Sequence, residues 1–273
     1  MSRRICVMMV VAAGLLLGVC QGVRGAYIDE VVDDGPRGYW RLGETTGSAA
    51  LDSATGDGSQ DGQYSGGHLL GVAGALADDS DTAVRFDGTN GQVTISDSFD
   101  PTAYTIEAWV RPDQIRGQSI FVRTASNPNT TWSHQIRMTN SGTFQAYTYD
   151  GSVKTVTGTT VAQVGQWYHV VATAENNDVM RLYVDGVEEG SPAGIGTLWQ
   201  DGGEYLIGSE SGGPGSWDPI SFFDGTIDEV ALYLSPLSED RIDVHHTAGI
   251  PEPGAATLLL VALSLLLSTK RRR

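Results

Sequence analysis

Between residues 27 and 249 the apolar positions recur in short alternating runs and seldom at helical spacing. In Thr105-Ile106-Glu107-Ala108-Trp109-Val110, the residues Ile106, Ala108 and Val110 fall on one side of an extended chain. Met180, Leu182 and Val184 do the same further on. Trp167 to Thr173 is almost continuously apolar, which predicts a strand covered on both faces. Ile227 to Leu234 is a similar run, broken by Asp228 and Glu229. Asx-Gly pairs punctuate the runs at Asp87-Gly88, Asn90-Gly91, Asp150-Gly151, Asp185-Gly186 and Asp224-Gly225. Such pairs accept the positive φ that two-residue hairpins need, and Val184-Asp185-Gly186-Val187 is the clearest hairpin. One late helix is expected, capped by Ser235, with Pro236 first and Glu239 and Asp240 in its positive first turn. About a dozen short strands without alternating helices predict an all-β, two-sheet antiparallel sandwich in one domain.

The two ends read differently. Residues 1–26 have arginines at 3 and 4, an apolar run from Ile5 to Val19, and small residues up to Ala26. That order is a secretory signal peptide, cut after Gly25 by signal peptidase. A lipid-anchored variant through Cys20 is the alternative, although Val19 stands where a small residue is usual. Both cysteines, Cys6 and Cys20, lie in this leader, so a processed chain would be held by its core or by metal, without disulfides.

Residues 250–273 contain Pro251-Glu252-Pro253, an apolar helix over 255–267 and a basic stop over 270–273. The apolar stretch is shorter than the about 20 residues of a full span. The basic cluster would stay cytoplasmic, leaving the body outside. The three parts in this order resemble the bacterial PEP-CTERM sorting signal. The resemblance implies transient membrane insertion through the tail, processing by an exosortase, and export to a bacterial cell surface or extracellular matrix. A plain membrane anchor is the other reading.

Composition adds a constraint. The chain has 17 basic and 33 acidic residues, for a net charge of −16. Arg3, Arg4, Arg24 and the run from Lys270 to Arg273 sit in the ends, so the body is more acidic still. That argues against nucleic acid as a partner, since its binders usually carry a basic face. The 35 glycines show no G-X-Y period and serve turns.

Six segments then line up in order: Tyr39-Trp40-Arg41-Leu42-Gly43-Glu44, Ala83 to Gly88, Tyr104 to Pro112, Gln166 to Ala172, Leu182 to Gly186, and Phe223 to Tyr233. Together they resemble the laminin G-like, concanavalin A-like jelly roll over roughly residues 36–247. The expected domain is 27–249. The fold hosts lectins, adhesion domains and some glycoside hydrolases and lyases, so it does not fix function.

Three chemistries remain to weigh. The resemblance implies one calcium ion between an early Asp-rich loop, here Asp52 to Gly62, and the late Ile-Asp-Glu strand. Asp52, Asp57 and Asp228 are then the candidate ligands, against the alternative that these aspartates only form Asx turns. For glycan, Trp132, Trp199 and Trp217 lie in polar, Gly-rich loops; Asn129 and His134 flank Trp132. Exposed indoles stack on sugar faces, whereas buried ones would only pack the sandwich edge, and binding would lose its best residues. Trp40, Trp109 and Trp167 fall in strand patterns and are expected in the core.

For catalysis, a glycosidase needs two positioned carboxylates. No E-x-D-x-x-E strand is found; Glu188-Glu189 look solvated, and Glu204 and Glu210 merely flank a strand. No G-x-S-x-G elbow or P-loop occurs. His169 reads as a buried, satisfied histidine, and His245-His246 as neighbours on different helix faces. The expectation is a non-catalytic exported protein that binds an extracellular polysaccharide or surface protein through sandwich-edge loops. A purely structural acidic matrix protein is the alternative, and a glycoside hydrolase or lyase of this fold the third reading.

Overall fold

The computed structural model describes residues 26–56, 59–77, 79–97, 99–125, 132–200, 203–210 and 221–250. The leader with Cys6 and Cys20 and the tail with Pro251, Glu252 and Pro253 lie outside them, as do Asp57, Asn129 and Trp217. Among the described residues no helix is long and apolar enough to cross a membrane.

The chain opens with α1 (Tyr27–Asp33), then β1 (Gly38–Trp40), β2 (Ala49–Ala50), β3 (Gly62–Ser65), β4 (His68–Ala73), β5 (Thr82–Asp87) and β6 (Gln92–Ile95). It continues through β7 (Ala103–Pro112), β8 (Gln118–Thr124), β9 (Trp132–Met138), β10 (Thr143–Tyr149) and β11 (Val153–Val161). It closes with β12 (Tyr168–Glu175), β13 (Val179–Val184), β14 (Val187–Gly194), β15 (Tyr205–Ile207), β16 (Asp224–Tyr233) and α2 (Glu239–Gly249). Sheet A runs β14-β13-β12-β7-β16-β5-β4, with β1 added on β16; sheet B runs β11-β10-β9-β8-β15-β6-β3-β2. Neighbouring strands are antiparallel and the two sheets stack as a jelly-roll sandwich. The Asp185-Gly186 hairpin forms as its residues require, with φ of 51° and 78° and Val184 paired to Val187.

Two apolar layers explain the patterning. Trp40, Phe86, Ile106, Val110, Phe121 and Ile227 belong to the core between the sheets. A second layer lies between sheet A and the helices, built on Tyr27, Val31, Trp109, Val171, Tyr183 and Ile242. β7, β12 and β16 are therefore covered on both faces, which is why their sequences read as continuous apolar runs. Each large side chain so buried contributes about 1.5–3 kcal/mol of transfer free energy. Trp40 and Trp109 are buried as expected, whereas Trp167 is half-buried, with the Arg111 guanidinium 5.3 Å from its ring.

The helices depart from the sequence pattern. α2 starts at Glu239 and is capped by Ser238, whose side chain accepts from the Arg241 amide, so the cap is not Ser235. Thr105 donates to the Ser235 carbonyl at 2.7 Å and accepts the Leu237 amide at 2.8 Å. Those groups are committed to β7, so the helix begins after them. α1 carries no strong start signal, but it buries Tyr27 and Val31 one turn apart.

Beneath the helices sits a fully buried carboxylate, Glu107, on the outer side of β7. It accepts from Tyr27 at 2.5 Å, His169 Nε2 at 2.9 Å and Tyr233 at 3.2 Å, and His245 Nδ1 lies 3.0 Å away. His169 is therefore buried as expected but only half satisfied, because its Nδ1 has no partner among the described residues. His245 faces this cluster while His246 stacks on Trp109. Glu188 and Glu189 are engaged, contrary to the solvated expectation: Glu188 pairs with Arg181, and Glu189 accepts from the Thr159 and Thr160 amides.

Candidate functional site

The outer face of sheet B follows from strand alternation. Phe121, Ile136, Ala146 and Ile207 enter the core between the sheets. Their neighbours Val122, Gln135, Tyr147 and Leu206 therefore face outward. Paired residues share a face, and one row runs through Thr94, Leu206, Val122, Gln135, Tyr147 and Thr155. At about 4.8 Å per strand, that row is about 24 Å across. A second row is Ser119, Arg137, Gln145 and Thr157.

Aromatic rings are concentrated on this face. Val122, Trp132, Tyr149 and Leu206 cluster, with Tyr147 and Trp199 half-buried against them. Trp132 meets Tyr147 edge-on at 5.0 Å, and Tyr149 meets Trp199 edge-on at 5.3 Å. Beside the last pair is a shallow cleft of about 380 Å³ lined by Asp150, Thr197, Leu198, Trp199 and Gln200.

Polar groups fill the space between the rings. The Arg137 guanidinium lies 4.0 Å from the Tyr147 ring centre, donates to the Tyr147 hydroxyl, and donates through Nε to Gln145 at 3.1 Å. Gln145 in turn donates to Thr157 at 2.6 Å. Gln135 donates to Ser119 at 2.9 Å and to Glu210 at 3.2 Å, while its own Oε1 is buried without a partner among the described residues.

The fate of the sequence-selected residues is mixed. Trp132 and Trp199 both lie on this face, but Trp132 is 9% exposed and packs into the cluster, so of the two only Trp199, half-buried, is placed to stack on a ligand. Trp217 and Asn129 lie outside the described residues. His134 is corrected: alternation turns it inward, where it is 1% exposed and stacks on Tyr104 at 4.5 Å. Burial, then the Arg123 charge, holds its imidazole well below the usual value, so it is a neutral core group out of ligand reach. The residues that sequence reasoning passed over are Arg137, Gln145, Tyr147 and Tyr149. The signal was present as the period-two spacing of Gln145, Tyr147 and Tyr149 along β10.

The aspartates selected for calcium are placed apart in role. Asp52 accepts the amides of Tyr39 at 2.8 Å and Ala54 at 2.9 Å on one oxygen, and Gln60 at 2.9 Å on the other. This is Asx-turn chemistry that shapes the loop. Asp228 is 2% exposed; its Oδ2 accepts the Ala75 amide at 2.7 Å and its Oδ1 has no partner among the described residues. Burial, then the neighbouring Glu229, raises its carboxyl well above the usual range. Glu229 accepts Arg41 at 2.7 Å and 3.0 Å, together with the Tyr39 hydroxyl, and burial raises it to about 7. Among the described residues no three His, Cys, Asp or Glu side chains converge as metal ligands. Asp228 fits a cation by its orphaned oxygen; the remaining oxygens of a six- to eight-fold shell would have to come from backbone carbonyls or water.

Comparison with known proteins bears on this architecture. The family described as the concanavalin A-like lectin/glucanases superfamily matches residues 87–243, more than half of the chain. No curated protein matches by sequence. Among solved structures, the chain is similar to domain 4 of the extracellular arabinanase AbnA from Geobacillus stearothermophilus, solved in complex with arabinotriose. That match has a TM-score of 0.55 at 21% identity, over 77% of this chain and 98% of that one. It is also similar to Trypanosoma rangeli sialidase, with a TM-score of 0.56 at 17% identity, over 78% of this chain and 32% of that one. The botulinum neurotoxin serotype D/C binding domain gives a TM-score of 0.57 at 10% identity, over 80% of this chain and 53% of that one. The chain thus spans about a third of the sialidase and about half of the toxin domain. At these identities the likeness is one of fold.

Proposed function

We propose, for a chain that belongs to the concanavalin A-like lectin/glucanases superfamily, a non-catalytic role in binding extracellular glycan through the outer face of sheet B. The observation that carries the reading is the pair Tyr147 and Trp199, half-buried on the outer face of sheet B over the buried Trp132 and Tyr149 and beside amide and hydroxyl groups. Rings offer apolar area to the C–H faces of sugars at low conformational cost, and Gln145 and Thr157, neither of them buried, offer hydroxyl partners. The eight strands of sheet B hold no carboxylate, so the acid and base of a glycosidase would have to come from outside them. This favours binding over hydrolysis. Relatives in fold that were solved with sugars, such as the arabinanase domain with arabinotriose, support the ligand class.

The proposal includes the cellular setting read from the ends. Signal peptidase would cut after Gly25 and an exosortase would remove the tail at Pro251-Glu252-Pro253, leaving a bacterial surface or matrix protein. Calcium belongs to the proposal as a structural ion, with Asp228 its first ligand and Asp52 and Asp57 on the loop it would steady. A structural acidic matrix protein is the competing account. The test is a glycan and polysaccharide screen of the purified protein in calcium and in EDTA, with Trp199→Ala in parallel. Selective binding weakened by the substitution supports the reading, and a blank screen in both buffers favours the structural account.

A further inference from the structure

We propose that the glycan taken by sheet B is acidic, a uronate-type polysaccharide whose carboxylate is held by Arg137. The inference rests on the reading of this face as a glycan platform and adds the class of sugar. Its basis is the distribution of charge. The chain has 33 acidic residues, yet the eight strands of sheet B contain no Asp or Glu, and their charged residues are Arg123, Arg137 and Lys154. The carboxylates that fall in regular elements all belong to sheet A and the helices, Glu107, Glu188, Asp228 and Asp243 among them. An acidic protein thus keeps one face free of strand carboxylates.

The three cations differ in what they can do. Arg123 is fully buried and pairs with Asp100. Lys154 lies 3.7 Å from Asp150. Arg137 is partly exposed on the outer face, and its partners there, Gln145 and Tyr147, are neutral. A guanidinium has five N–H donors; these two contacts use Nε and one hydrogen of Nη2, and leave one hydrogen on Nη2 and both on Nη1 among the described residues, so the Nη1–Nη2 end of the fork is available. The Tyr147 ring beneath it fixes the plane of the fork, and a planar fork matches a carboxylate in bidentate fashion. Glu210 reaches Gln135 on β9, and Glu189 meets the Thr159 and Thr160 amides of β11, so the ligand carboxylate is expected between them, at Arg137. Long-range repulsion by the acidic body is screened within about 8 Å at physiological salt, leaving the local guanidinium to decide the contact.

The test uses matched pairs that differ in the carboxylate: oligogalacturonates against their methyl esters, and oligoglucuronates against cello-oligosaccharides. Titrations at physiological salt should show the acid bound about tenfold more tightly than its neutral counterpart in at least one pair. Arg137→Gln should remove that preference, Arg137→Lys should restore part of it, and Arg181→Gln on sheet A should leave it intact. Equal affinities within both pairs, or a preference that survives Arg137→Gln, would overturn the inference and leave glycan binding standing. Binding of neutral glycans alone would do the same. A protein that binds neither member of either pair nor any neutral glycan would overturn the platform reading together with the inference.

Discussion

His245 and Glu107, 138 residues apart in sequence, meet with Nδ1 3.0 Å from Oε2 at the centre of sheet A. The contact ties the last helix to the middle of the fold, and the Tyr27 hydroxyl ties the first helix to the same carboxylate. Glu107→Ala would leave two tyrosines and two histidines buried without their acceptor. We expect a loss of about 3–5 kcal/mol in urea unfolding, since breaking a buried pair strands its partner. A loss below about 1 kcal/mol would mean that the clasp adds little to holding the helices.

The same cluster sets a pH dependence. Burial pulls His245 down, but Glu107 and Asp34 outweigh it and leave the imidazole above its usual value. A raised histidine stabilises fully below its unfolded pKa and loses that contribution as pH rises through the folded one. Glu229, raised to about 7 chiefly by burial, acts in the same direction: protonation favours the fold, and stability falls as pH climbs from its unfolded value near 4.5. Burial pushes Glu107 up, yet His245 and the hydrogen bonds of His169 and His245 hold it well below the carboxylate range, so its contribution is full above its unfolded value near 4.5 and is lost as pH falls below it. His134 and His246, both lowered chiefly by burial, act the other way below about pH 6.5. The window for this effect is therefore above that value: Tm should fall from about pH 6.5 to pH 8, and His245→Asn should flatten part of that slope. A Tm that rises with pH across this window would contradict the assignment.

On sheet B the rings should be separable from the fold. Trp199 and Tyr147 are half-buried, and each meets a neighbouring ring edge-on on this face. Either one changed to alanine should weaken a glycan ligand by about thirtyfold, the scale of an interface hot spot near 2 kcal/mol. Trp132, which is more deeply covered, should cost stability as well. Calorimetric titration beside thermal melts distinguishes the two effects.

Calcium makes a distinct prediction. An ion at Asp228 would stabilise only the folded chain, so EDTA should lower Tm by several degrees and calcium should restore it. Asp228→Asn should remove that calcium response. If the carboxyl is instead simply a buried, uncharged acid, the melt will ignore EDTA and the asparagine variant will be neutral or slightly stabilised.

Much of the fold was legible because turns and strand periods are local. Asp185-Gly186 announced its hairpin, and Ile106, Ala108 and Val110 announced the inward face of β7. What could not be read was the cover on the other side of β7. Glu107 looks like an ordinary solvent-facing alternate until α1 and α2 close over it, and α1 has too little sequence to declare itself. The site was half legible for a related reason. Tryptophans in polar loops drew attention to Trp132 and Trp199, but the register that places Tyr147 beside Trp132, and Arg137 beside Tyr147 and Gln145, is a pairing between strands. His134 failed because a bulge between Arg123 and Thr124 separates it from Trp132, and local spacing does not reveal which face each then takes.

The central claim is that the outer face of sheet B holds glycan, and its most direct test is a parallel titration of the wild-type protein and Tyr147→Ala against a panel of acidic and neutral oligosaccharides. The account predicts saturable binding of at least one oligosaccharide by the wild type, and clear weakening in a variant that still melts cooperatively above the titration temperature. No binding across the panel, or binding that Tyr147→Ala leaves untouched, would contradict it and return this face to plain packing.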